Sequence, residues 1–182
     1  MKSIASFFIT ALFFVTFNAV ADGLPKPGDK RYEPKLEYVL SYNASLAPPE
    51  IIGPIPEGIR VNFYVTDGLF EGPKIKGKLR PVGGDWLTIR KDGIGILDVR
   101  ATLETDDGAL IYIAYTGTLD VGPDGYKNFA EGKIPEFIKL TVSSRMYTAN
   151  PKYEWVNRAQ YAQVGEFERD KLLVRYDVYE IK

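Results

Sequence analysis

The chain has 182 residues, carries 23 Lys and Arg against 24 Asp and Glu, and contains neither Cys nor His. A formal net charge of −1, with both signs interspersed, leaves no electrostatic footprint for nucleic acid or for an anionic membrane surface. The missing Cys and His exclude disulfides, thiol nucleophiles, the Ser-His-Asp triad and His- or Cys-ligated zinc or iron, so any catalysis must run on Asp, Glu, Tyr, Lys or Arg, and any metal would need an all-oxygen site.

The first element is a processing signal. Lys2 precedes an apolar run from Ile4 to Val15, and Ala19-Val20-Ala21 supplies the small residues that signal peptidase reads. This predicts a signal peptide over residues 1–21, cut after Ala21. The run is shorter than the roughly 20 residues that a spanning helix needs. The expected location is the periplasm or the secreted fraction, and an exported domain without disulfides fits the periplasm better. No contact with the membrane is expected after cleavage. Residues 22–34, rich in Pro, Gly and charge, read as a flexible leader.

From Lys35 to the C-terminus the pattern has period two, with Gly or Pro breaks at regular spacing. It predicts strands near 35–45, 59–66, 74–81, 84–91, 94–105, 109–118, 136–148, 156–164 and 171–181. Pro48-Pro49 and Gly53-Pro54 break the first connection, and Thr66-Asp67-Gly68 opens a loop to Gly72. Lys91-Asp92-Gly93 and Asp106-Asp107-Gly108 read as hairpin turns, and Pro123-Asp124-Gly125 opens a longer loop to Pro135. The best helix candidate is short, around Asn157 to Gln163. The fold class is therefore all-β: one antiparallel barrel of about eight strands over residues 35–182, lipocalin-like or allene-oxide-cyclase-like in general shape.

Strand 94–105 carries the densest polar chemistry. Leu97, Val99, Ala101 and Leu103 share one face, and Asp98, Arg100, Thr102 and Glu104 share the other. An ordinary half-exposed strand gives this pattern, with the apolar face inside. A ligand-binding barrel with a polar lumen gives it too, and Asp98 and Arg100 would then form a lumenal ion pair able to grip an anion. Arg60, Arg90 and Tyr112 lie on the more polar faces of their own strands. They converge with Asp98 and Arg100 if those faces point inward, and form a solvated ladder if they point outward. On the strand 84–91, Asp85 falls in phase with Leu87 and Ile89, opposite Trp86, Thr88 and Arg90. Trp86 and Trp155 could wall a pocket or close a core, and Asn157 shares the orientation of Trp155 on an extended chain. Asp106-Asp107 is explained as a hairpin turn without a metal, and neither metal nor cofactor is expected.

Glu57-Gly58-Ile59-Arg60, Gly68-Leu69-Phe70-Glu71-Gly72, Gly77, Gly83-Gly84-Asp85-Trp86, Arg90, Asp92-Gly93, Asp98-Val99-Arg100, Thr105-Asp106-Asp107-Gly108-Ala109 and Tyr153-Glu154-Trp155-Val156-Asn157 together resemble the DUF3237 (UPF0311) family. The resemblance runs from about Lys35 to the C-terminus. Thr66-Asp67-Gly68 departs from it, where a more glycine-rich turn is expected. It implies a compact antiparallel barrel with a small-molecule pocket, and no assigned reaction.

Three readings of function follow. The first is a binding barrel for a small aromatic or anionic molecule, suggested by twelve Tyr, ten Phe and two Trp and by the strand-borne arginines. Its ligand-binding candidates are Arg60, Trp86, Arg90, Trp155 and Asn157. The second is a cofactor-free acid–base enzyme (an isomerase, cyclase or hydrolase) with Asp98 as base, Arg100 as oxyanion stabiliser and Tyr112 as acid. The third is a structural or interaction protein of the cell envelope. The expected partner is a small molecule, with a homo-oligomer left open.

Overall fold

The computed structural model describes Lys26, residues 28–30 and residues 32–182. The expected signal peptide and most of the early leader lie outside the described residues. Pro34–Lys182 forms one compact unit.

That unit is built almost wholly of antiparallel strands: β1 (Leu36–Leu46), β2 (Glu50–Ile55), β3 (Gly58–Gly72), β4 (Ile75–Ile89), β5 (Ile94–Thr105), β6 (Leu110–Asp120), β7 (Phe137–Tyr147), β8 (Tyr161–Glu168) and β9 (Leu173–Ile181). Sequential neighbours pair from β3 through β9, β9 pairs with β1, and β1 pairs back onto β3. Eight strands thus close into a barrel, as the alternating pattern predicts. Closure pairs every strand of the ring on both sides and so removes the free edges of an open sheet. β3 is fifteen residues long. Its first half pairs with β2 and its second half with β1.

Four elements differ from the sequence expectation. The Gly53-Pro54 stretch, read as a break, is strand β2. It pairs only with β3, and such an edge position tolerates a Pro that has no N–H to give. β3 runs on to Gly72 through the expected loop, with a register shift between Tyr64 and Leu69. The expected strands 74–81 and 84–91 are one strand, β4, interrupted by a bulge between Leu79 and Gly83. Gly83, at φ 86°, supplies a bulge there and not a turn. Residues 151–158 form a 3₁₀ helix where strand 156–164 was expected to begin, and the helix candidate 157–163 does not form. Asn150 caps that helix by accepting the Lys152 N–H at 3.0 Å, and Pro151 stands at its first turn, where no N–H is required. The long loop after β6 holds one short helix, α1 (Gly125–Ala130).

The barrel interior is the core. Leu97, Val99, Ala101 and Leu103 of β5 all point inward and are buried, as are Ile59, Val61 and Phe63 of β3 and Ile111, Ile113 and Tyr115 of β6. One end is packed shut by Leu40, Leu103, Ile111, Met146 and Tyr161, with Tyr153 and Val156 of the 3₁₀ helix also buried in the core. The other end is ringed by Leu46, Val121, Phe129, Ile134 and Leu172, and it leads into a lumen.

Candidate functional site in the barrel lumen

The inward turn of the apolar faces decides where the expected site residues lie. Asp98, Arg100 and Tyr112 are on the outer wall, so the lumenal ion pair does not form. The Arg100 guanidinium donates to the Asp98 carboxylate beside it, both partly in solvent. Tyr112 is 42% exposed and stacks on Tyr147 of the neighbouring strand, ring centres 6.3 Å apart. The physical reason is that an eight-stranded barrel needs its interior for packing, and among the described residues no segment covers this stretch of wall from outside to bury a second apolar face.

The five ligand-binding candidates do not converge either. Arg60 donates to the main-chain carbonyl of Trp86 across the β3–β4 pair, and Arg90 pairs with Asp92 in its own turn. Trp86 is half-buried on β4. Trp155 packs part-buried against the core beneath Lys74, whose Nζ lies 6.0 Å from the ring centre. Asn157 is a clamp: its Nδ2 donates to the Thr148 carbonyl at 2.9 Å, and its Oδ1 accepts the Thr148 N–H at 2.8 Å.

The polar groups that do converge belong to a set in phase with the core. Asp85 is the carboxylate that shares its face of β4 with Leu87 and Ile89, and it points into the lumen. Strand register sets Phe63, Asp85, Val99, Tyr115 and Ser144 side by side around the wall. The Gly83-Gly84 pair brings the chain to that position. A Cβ on Gly83 would meet the Arg100 carbonyl oxygen at 2.1 Å, and one on Gly84 would meet the Phe63 carbonyl oxygen at 2.2 Å, so both neighbouring strands approach closer than any side chain allows.

Asp85 has one hydrogen bond among the described residues: Oδ1 accepts the main-chain N–H of Asp98 at 3.0 Å. Burial pushes its carboxyl up to about 7, against a smaller lowering by that N–H. The charge of Asp98 adds to the rise, and the charge of Arg60 opposes it. Three buried phenols and an amide accompany it. Tyr42 Oη lies 3.1 Å from Tyr115 Oη and donates to Gln163 Oε1 at 3.0 Å. Tyr176 stacks on Tyr42 with ring centres 5.2 Å apart and meets Tyr115 edge-on at 5.8 Å. Burial raises all three phenols, so each keeps its proton at ordinary pH. Among the described residues, Gln163 Nε2 and Tyr176 Oη are buried without a well-aligned hydrogen bond, Tyr176 Oη lying beside the Tyr115 hydroxyl. Leaving such a group unmet costs about 1–3 kcal/mol, which a bound molecule or water offsets.

The lumen above this cluster is a cavity of about 110 Å³ walled mainly by Leu, Ile, Val, Ala and Phe side chains. Arg169 stands at its lining, but its guanidinium donates to the Ile134 carbonyl and pairs with Asp170.

Similarity to known proteins agrees with this architecture. The family model described as "Protein of unknown function (DUF3237)" matches residues 34–181. The chain belongs to the DUF3237 family. A UPF0311 protein of Rhodopseudomonas palustris is 30% identical over 153 residues, covering 81% of this chain and 98% of the relative. A solved β-barrel-like protein from Acinetobacter baumannii superposes with a TM-score of 0.71 at 32% identity, over 84% of this chain and 99% of that one. An enzyme from Penicillium herquei shares the fold, with a TM-score of 0.61 at 19% identity over 85% of this chain and 99% of the other. The DUF3237 match leaves the first 33 residues of this chain uncovered.

Among the residues that sequence reasoning missed, Asp85 had a signal: a lone carboxylate in phase with Leu87 and Ile89. Tyr42, Tyr115, Gln163 and Tyr176 had none as a group, because they reach one layer from four different strands only after the barrel closes.

Proposed function

We propose that this DUF3237 barrel binds a small, neutral, mainly aromatic or alicyclic molecule in its lumen. The observation that carries the reading is a cavity with an apolar wall, interrupted by one part-buried carboxylate, Asp85, and by the phenols of Tyr42, Tyr115 and Tyr176. That is the composition of a ligand site: apolar surface for affinity and a few polar groups for orientation. An apolar cavity of about 150 Å³ takes up benzene, so a lumen of about 110 Å³ suits one small ring or the inner part of a larger molecule. A neutral ligand is favoured over an anionic one. The arginines that suggested an anion, Arg60, Arg90 and Arg100, stand outside the barrel, Arg169 at the lining is already engaged with Asp170 and the Ile134 carbonyl, and the charge left facing the ligand is that of Asp85.

The test compares phenol with benzoate as probes, read as a shift in the thermal midpoint at pH 8. Phenol raises the midpoint with concentration, as a ligand of the folded state must, and benzoate leaves it unchanged. A larger rise with benzoate contradicts the reading. Export is proposed from the sequence alone. Fractionation of cells expressing the full-length gene should place a protein that begins at Asp22 outside the cytoplasm, and an uncut chain in the cytoplasm would refute it.

The alternative of an acid–base enzyme is favoured by a different observation, the unshared oxygen of Asp85, and is developed next. A filled, wholly apolar interior would have left the interaction-protein alternative alone; the open lumen with its polar groups supports the ligand reading ahead of it.

A further inference from the structure

We infer that Asp85 is a general base and Tyr176 an oxyanion donor, and that the lumen takes a small neutral carbon acid, a molecule whose C–H is made acidic by an adjacent carbonyl or imine. This rests on the lumen-binding reading above and adds a reaction to it.

The geometry supplies each part. Asp85 Oδ1 is held by the Asp98 N–H, which fixes the carboxylate and leaves Oδ2 without a partner among the described residues. A general base needs such a free oxygen facing its substrate, in a site that water does not level. Tyr176 Oη, in a residue 2% exposed, makes no well-aligned hydrogen bond among the described residues and has the Tyr115 hydroxyl as its neighbour, a weak contact that a better acceptor replaces. A weakly engaged donor fixed in an apolar pocket is suited to a charge that develops only during reaction. Stacking against Tyr42 and edge contact with Tyr115 hold the ring in place. The Asp85 charge is felt at Tyr42, Tyr115 and Tyr176, so base and phenols belong to one electrostatic unit.

The step balances without a cofactor. Ionised Asp85 takes the proton from carbon, and the C–H electron pair becomes the C=C bond of an enolate. The carbonyl π pair moves to oxygen, and that oxygen accepts a hydrogen bond from Tyr176. Where a C=C adjoins the enolate, protonated Asp85 then returns the proton to the γ-carbon: the oxygen pair re-forms the carbonyl, the double bond shifts into conjugation and the far π pair forms the new C–H bond, giving an isomer. The titratable groups around Asp85 are Arg60 on β3, Asp98 on β5, Tyr115 on β6, Tyr42 on β1 and Tyr176 on β9, the phenols staying neutral. Arg60 favours the ionised form, whereas burial and the Asp98 charge favour the protonated one. Near neutral pH the carboxyl is therefore available in both forms.

The probe is 5-nitrobenzisoxazole, a flat neutral carbon acid. A base removes its ring C–H proton, that electron pair completes a C≡N bond, the N–O bond breaks, and the pair leaves on a coloured phenolate. The expected result is saturable turnover at least about 100-fold faster than with equimolar acetate, rising with pH through about 7. Asp85→Asn abolishes the turnover but still binds the probe, as read by quenching of tyrosine and tryptophan fluorescence. Asp85→Glu retains part of it, which guards against a folding defect in the first variant. Tyr176→Phe lowers kcat about tenfold or more with KM nearly unchanged. If the wild-type protein binds the probe but turns it over no faster than acetate, or if Asp85→Asn is as fast as wild type, the inference is overturned while lumen binding stands. If the folded wild-type protein binds phenol but not the probe, the inference is overturned while lumen binding stands; if it binds neither, both readings fail.

Discussion

Asp85 makes a measurable demand on stability. An unfolded aspartate titrates near 3.9, whereas the folded one is raised to about 7. Between those values the folded chain holds a proton that the unfolded chain has lost, so stability falls as pH rises through the window. From pH 5 to pH 8 this single group costs about 3 kcal/mol, from roughly 1.4 kcal/mol per unit. Asp85→Asn removes that component. Urea unfolding should show the variant gaining on wild type as pH rises from 5 to 8, with little difference near pH 4. An identical pH slope in the two proteins would mean that Asp85 is not buried. The residue was legible in part: the sequence places it in phase with Leu87 and Ile89. Its role was not, because the adjacent Asp98 and Arg100 offered a more conspicuous pair. Asp98 does serve the site, but through the main-chain N–H that it gives to Asp85, and no reading of side-chain types reports that.

At the scale of elements, two local devices hold the lumen in shape. The first is the bulge on β4. Replacing Gly84 with Ala sets a methyl against the Phe63 carbonyl, and replacing Gly83 does the same against Arg100 at a positive φ. Each substitution should destabilise the fold by more than about 2 kcal/mol, as strained positions do, measured as a fall in the urea midpoint. The second is the Asp107 carboxylate in the β5–β6 turn. It accepts from Lys152 Nζ at 2.6 Å and Tyr153 Oη at 3.0 Å, and so ties the turn to the 3₁₀ helix over the closed end. The Lys152 bond, helped by Thr105, holds this carboxyl well below the usual carboxylate range. Its contribution is full above pH 4 and fades as pH falls through the depressed value. Asp107→Asn should therefore lower the thermal midpoint at pH 7 and converge with wild type in strong acid. The β5 strand matched its sequence expectation to the residue because alternation and two Gly turns bound it. β4 did not, since a Gly pair that makes a bulge looks in sequence like one that makes a turn. β8 began late because Asn150-Pro151 caps a helix that β-like residues downstream conceal.

For the whole molecule, the barrel and its approximate strand number were legible because period-two alternation recurs over the entire domain. The orientation of the wall was not. Alternation defines two faces without saying which one lines the lumen, and only closure of β1 onto β3 turns the Leu97 face inward and the Asp98 face out. The same closure assembles Tyr42, Tyr115, Gln163 and Tyr176 from distant positions around Asp85. If this lumen is the ligand site, filling it should abolish binding without loss of the fold. Leu79→Phe, on the cavity wall, should remove the phenol-induced rise in thermal midpoint. The most direct measurement is a crystal soaked with 4-bromophenol, with the bromine located by its anomalous scattering. Bromine inside the barrel, with the phenol hydroxyl in hydrogen-bond reach of Asp85 or Tyr176, is the predicted result. Bromine confined to the outer wall at Asp98, Arg100 and Tyr112, or absent from the lumen of a well-diffracting soaked crystal, would contradict it.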